Sequence, residues 1–173
     1  MKKLLILPLL FLSFAHAETF QCKVVGVTDG DTITCLTDEK KQVKVRLYQI
    51  DAPESGQAYG QQAKQLLSDM IYNKHVKIEN MGLDRYKHTL GIITAHKFKP
   101  CKSAPPDRPQ PFGCYDLINI NLEMIKYGYA WYNPFDGENP EYQQAELEVK
   151  AAKRGLWADE HVMSPWEWRK QSK

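Results

Sequence analysis

Apolar and β-branched residues dominate positions 20–27 and again 32–36, with Thr28-Asp29-Gly30-Asp31 between them. That pattern predicts two strands of a hairpin joined by an Asp/Gly turn. A second turn, Asp38-Glu39-Lys40-Lys41, leads into residues 43–48. There strict alternation puts Val43, Val45 and Leu47 on one face and Arg46 on the other. Pro53 ends the extended run, and residues 57–72 carry Ala63, Leu66, Leu67, Met70 and Ile71 at the 3.6-residue spacing of an amphipathic helix. Residues 76–78 and 90–93 read as two further strands around a turn at Gly82-Leu83-Asp84-Arg85.

Five short strands with a helix after the third predict an α+β domain of the OB type, a five-stranded Greek-key barrel with about three helices. The remaining helices fall at residues 121–127 and 140–153, the second closed by Gly155. Between the barrel and these helices, residues 97–114 hold five prolines and are expected to form a surface loop. The tail, residues 164–173, mixes Trp166 and Trp168 with Arg169 and lysines. Its tryptophans are expected to cover the domain surface.

Residues 1–17 have a different character. Lys2-Lys3, an apolar run from Leu4 to Phe14 and Ala15-His16-Ala17 form the three parts of a cleavable signal peptide. The run is shorter than the ~18 residues a spanning helix needs, so no membrane anchor is expected after cleavage. The expectation is a secreted or periplasmic protein of one domain, residues 18–173, and a monomer. The leader also accounts for the charge: the formal +2 comes from 23 basic and 21 acidic residues, and Lys2 and Lys3 supply the excess. Attraction to a polyanion must therefore come from local patches.

Four cysteines form two local pairs of equal separation, Cys22 with Cys35 and Cys101 with Cys114. In an oxidising compartment these are expected to be disulfides, each closing a loop worth about 3 kcal/mol. A zinc site is disfavoured because there is no Cys-x-x-Cys pair and no histidine at finger spacing.

Asp29-Gly30-Asp31-Thr32 resembles the start of an EF-hand loop, but Thr34 and Lys40 stand where glycine and glutamate are required. The turn gains meaning beside Arg46-Leu47-Tyr48-Gln49-Ile50-Asp51-Ala52-Pro53-Glu54. With Asp84-Arg85-Tyr86, Thr89-Leu90-Gly91, Asn121-Leu122, Gly128-Tyr129-Ala130 and Lys153-Arg154-Gly155-Leu156-Trp157 following in order, the sequence resembles the thermonuclease (staphylococcal nuclease-like) family.

The resemblance implies Ca²⁺-dependent hydrolysis of DNA and RNA, single-stranded or frayed, to 3′-phosphate ends. It assigns Asp31, Asp51 and the Ala52 carbonyl to one metal ion, Glu54 to the attacking water, Arg46 to the scissile phosphate, and Arg85 and Tyr86 to the flanking nucleotide. At the family's second arginine this sequence has His88, preceded by Lys87 in place of glycine. Arginine carries a permanent forked charge and histidine does not. Three readings stay open: His88 acts as proton donor or weaker cation; Arg85, Lys87 or Arg108 replaces the lost charge; or the site does not cleave. The alternative function is a non-catalytic OB module that binds nucleic acid or a protein of the cell envelope.

Overall fold

Strand β1 (Thr19–Val27) pairs on one side with β2 (Thr32–Thr37) and on the other with β5 (His75–Leu83), both antiparallel. Strand β2 pairs with β3 (Gln42–Leu47), and β5 with β6 (Thr89–Pro100). A parallel contact of β3 with β6, Arg46 opposite Leu90, closes the ring. Closure leaves these five strands with no unpaired edge along the ring. This computed structural model describes residues 18–100 and 113–171; the leader, Cys101 and Arg108 lie outside the described residues.

Inward-facing Val24, Ile33, Val45, Leu47, Ile78 and Ile93 fill the barrel and are fully or almost fully buried. Strand β3 behaves as its alternation requires, with Val45 and Leu47 buried and Arg46 between them on the outer face. Helix α1 (Gly60–Ile71) caps one end by Ala63, Leu67 and Ile71. It begins three residues later than its apolar spacing suggests, because Gln57 turns back on the Glu54 carbonyl and Tyr59 adopts a left-handed φ of 67°.

The expected Cys22–Cys35 disulfide is present, with Cα atoms 5.5 Å apart. In the β1–β2 register Cys22 faces Thr37 and Cys35 faces Val24, so the bond runs diagonally across the pair. The expected partner of Cys114, Cys101, is outside the described residues.

The proline-rich connection is flanked by more strand than its composition predicts. Strand β6 continues to Pro100 and pairs with β7 (Gly113–Asn119), where Lys97, Phe98 and Lys99 face Asp116, Tyr115 and Cys114. Asn119 then caps helix α2 (Ile120–Lys126), its side chain accepting from the Leu122 N–H. Helix α3 (Pro140–Ala151) starts the same way, with Asn139 as cap and Pro140 in the first turn. Gly128 and Gly155 meet back to back: a Cβ on Gly155 would lie 2.3 Å from the Gly128 carbonyl oxygen, and both glycines have positive φ.

Two short elements carry the site. Strand β4 (Ile50–Asp51) pairs with β8 (Trp131–Tyr132), Asp51 opposite Trp131. A fourth helix, α4 (Pro165–Gln171), forms in the aromatic tail. No helix among the described residues is long and apolar enough to cross a membrane.

Candidate active site

Asp31 ends the β1–β2 turn, and its backbone carbonyl accepts from the Leu47 N–H (2.8 Å), locking the turn against β3. The residue as a whole is only 5% exposed. It accepts from the Thr32 hydroxyl (2.8 Å) and from the Ala52 N–H (3.0 Å). The second contact joins the turn to the segment after β4. Asp51 lies beside it, 1% exposed and held by the β4–β8 pairing.

Arg46, on the outer face of β3, spans the two carboxylates. Its terminal nitrogen donates to Asp51 at 2.8 Å and reaches Asp31 at 3.4 Å. Burial raises both carboxyl groups, Asp31 to about 6, against the lowering effect of the guanidinium. Burial would lower the Arg46 pKa, yet Asp31 and Asp51 raise it on balance.

Glu54 follows Pro53 at the mouth, its side chain 37% exposed. The buried Gln57 amide oxygen accepts from the Glu54 N–H (3.2 Å), and its amide nitrogen donates to the Met163 carbonyl (2.6 Å). The turn carrying Glu54 is thereby tied to the chain just before α4.

These groups open onto a cleft of about 680 Å³. Arg46, Asp51, Glu54 and His88 line it, and Arg85, Tyr86, Phe135 and Trp166 also border it. Asp31 sits behind Arg46 and does not reach the cleft surface. The structure thus brings together Asp31, Arg46, Asp51, Ala52 and Glu54, with His88, Arg85 and Tyr86 bordering the same cleft.

His88 occupies the end of a tight turn. The Asp84 carboxylate accepts from the backbone N–H groups of Tyr86 and His88, both at 2.8 Å, and lies 3.0 Å from His88 Nδ1. Nδ1 is thus turned to a carboxylate, and the residue borders the cleft. Lys87 takes a left-handed φ of 65°, the region glycine occupies without cost. Arg85 stacks over the Tyr86 ring, 4.9 Å from its centre.

The donor set suits a hard, open-sited cation. Among the described residues no three His, Cys, Asp or Glu side chains are grouped so that together they could hold a metal ion. Two buried carboxylates facing one position fit an ion that takes its other oxygens from backbone, water and phosphate.

A family described as Staphylococcal nuclease homologue matches residues 44–159. This chain belongs to that family. The matched segment holds Arg46, Asp51, Glu54 and His88. An uncharacterized endonuclease of Haemophilus influenzae is 40% identical over 176 residues, covering 99% of this chain and 88% of that protein. Protein ParB of Escherichia coli is 40% identical over 87% of this chain and 79% of its own length. A micrococcal nuclease of Shigella flexneri is 38% identical, covering 89% and 83% respectively.

One site residue escaped the sequence reading. Arg169 of α4 borders the cleft and forks onto Asp51, Nη2 to Oδ2 at 2.6 Å and Nη1 to Oδ1 at 3.1 Å. Nη1 also donates to Glu54 at 2.7 Å. Its bonds to Asp51 above all, and to Glu54, raise its pKa further. A local signal for the helix was present: Ser164-Pro165-Trp166-Glu167 is a capping box with proline in the first turn. Ser164 N–H and hydroxyl both donate to the Glu167 carboxylate.

Proposed function

We propose that this protein is an exported, Ca²⁺-dependent nuclease that hydrolyses phosphodiester bonds of DNA and RNA and leaves 3′-phosphate ends. The observation that carries this reading is the convergence of Asp31, Arg46 and Asp51 through shared hydrogen bonds, with Glu54 on the same cleft. Relatives named endonuclease and micrococcal nuclease support it. The leader at residues 1–17 and the Cys22–Cys35 bond agree with an oxidising, non-cytoplasmic location.

Attack of water on a phosphodiester builds negative charge on the non-bridging oxygens, so a competent site must supply cations and orient the water. Asp31, Asp51 and the Ala52 carbonyl would hold the divalent ion. That ion supplies Lewis-acid charge to the phosphate. Arg46 is placed to turn from the carboxylates to a phosphate oxygen with charge-assisted hydrogen bonds. Glu54 is the accessible carboxylate, and it orients the water and takes its proton. His88 borders the cleft, where a protonated ring can donate to a departing oxygen.

The test is incubation of the purified chain lacking residues 1–17 with single-stranded DNA and, separately, RNA, with Ca²⁺ or with chelator, followed by end-group analysis. Fragments that form only with the ion and carry 3′-phosphates are expected. Binding without cleavage across metals and pH would instead identify a non-catalytic OB module.

A further inference from the structure

We propose that Arg169 is the second guanidinium of the reaction centre, supplied by the C-terminal helix where position 88 offers only an imidazole. The inference rests on the nuclease reading and adds to it a residue beyond the matched segment 44–159.

The placement of Arg169 follows from a closed circuit of contacts. Asp51 pairs with Trp131 between β4 and β8. The Trp131 ring meets Trp166 edge to face at 6.2 Å, and Trp157 at 5.1 Å. Arg169 stands three residues after Trp166, on the same face of α4, and returns to Asp51. The capping box at Ser164 and the bond from Gln57 to Met163 fix the start of that helix. A side chain held by a tryptophan cluster, a helix cap and a buried glutamine is preorganised over the carboxylates, as electrostatic catalysis requires.

Charge and donor count favour the same role. Asp31, Asp51 and Glu54 are three carboxylates in one contact network, and apart from Arg169 the only cation among the described residues hydrogen-bonded into it is Arg46; Asp29 and Lys44, one of each sign, also border the cleft. Arg169 brings a second permanent positive charge, which a divalent ion and an anionic phosphate can join without leaving a large excess of either sign. Three of its five N–H donors hold Asp51 and Glu54. Two remain for a phosphate oxygen, and the side chain borders the cleft.

Of the other cations on the cleft, Lys44 borders it but has no contact to Asp51 or Glu54 among the described hydrogen bonds and ion pairs, unlike Arg169. Arg85 lies on the Tyr86 ring, Lys87 forms the left-handed corner of the turn, and His88 is turned to Asp84. Arg169 therefore bridges the ion's carboxylate and the water's carboxylate before substrate arrives, and contacts the phosphate afterwards.

The test compares wild type with Arg169→Gln and Arg169→Lys. Circular dichroism and Tm establish that each folds. Initial rates with Ca²⁺ on a labelled oligothymidylate give kcat and KM. Anisotropy with the same oligonucleotide in chelator gives affinity and its salt slope. The expected result for Arg169→Gln is a fall in kcat of about 100-fold or more, with a salt slope shallower by about 0.7. Arg169→Lys should recover part of the affinity but little of kcat, because an ammonium cannot fork. If wild type binds without cleaving, the nuclease reading fails, yet a shallower slope in Arg169→Gln still assigns Arg169 to phosphate. An unchanged slope with kcat within about threefold of wild type, or a kcat that rises on removing Arg169, would overturn the proposal.

Discussion

Gly60 lies directly against the backbone carbonyl of Glu54: a Cβ at position 60 would come within 1.9 Å of that oxygen and 2.8 Å of its carbon. The first turn of α1 and the turn bearing Glu54 can approach this closely only without a side chain. Gly60→Ala must therefore push the Glu54 turn outward or shift the helix. The expected outcome is a folded protein, destabilised by about 1–3 kcal/mol, whose cleavage rate drops by up to about 100-fold because the water-orienting carboxylate is displaced. Initial rates measured well below the melting temperature check this; a normal rate would mean that the position of Glu54 does not matter.

The Asp84 turn has a defined pH signature. Burial pushes the Asp84 carboxyl up, but the N–H groups of His88 and Tyr86 and the His88 ring pull it down further, so it ends below its ordinary value. A carboxylate held low in the folded state stabilises the fold above the unfolded-state pKa near ~3.9, and that contribution is lost as pH falls through the still lower folded value. Asp84→Ala should thus cost about 1–2 kcal/mol at neutral pH. The gap from wild type should narrow as pH falls below ~3.9. Urea unfolding across that range measures it, and a gap that stayed constant or widened would contradict the assignment.

Asn121 is fully buried and joins α2 to the barrel by three hydrogen bonds. Its Oδ1 accepts from the Ile93 N–H at 3.1 Å, and Nδ2 donates to the carbonyls of Tyr48 and Gly91 at 2.9 and 3.0 Å. Asn121→Leu would remove all three bonds and take the side-chain acceptor from the Ile93 N–H in the interior, and the expected loss is about 3 kcal/mol. Chemical denaturation of the folded variant gives the value directly.

What the sequence revealed, and what it hid, follows from the range of the forces involved. The alternation at Val43, Val45 and Leu47 encodes one pleated face, and Arg46 projects from the other as expected. Strand β8 is only two residues long and exists because Ile50 and Asp51 pair with it; no local pattern announces a strand of that length. Strand β7 was obscured by the prolines before it, although Tyr115 to Asn119 pair with β6 throughout. Arg169 meets Asp51 across 118 positions of sequence. Composition could mark it as basic, but only the tryptophan packing of α4 determines which carboxylates it reaches.

Arg46, Asp51 and Glu54 around one opening, with Asp31 buried against Arg46, make a chemical claim, and cleavage of a single labelled oligonucleotide tests it most directly. Wild type and Glu54→Gln are assayed side by side with Ca²⁺ and with chelator, after both are shown to fold and to bind the oligonucleotide. The account predicts Ca²⁺-dependent fragments from wild type and a rate lower by about 100-fold or more in Glu54→Gln. Equal rates for the two proteins, or cleavage that persists in chelator, would contradict it.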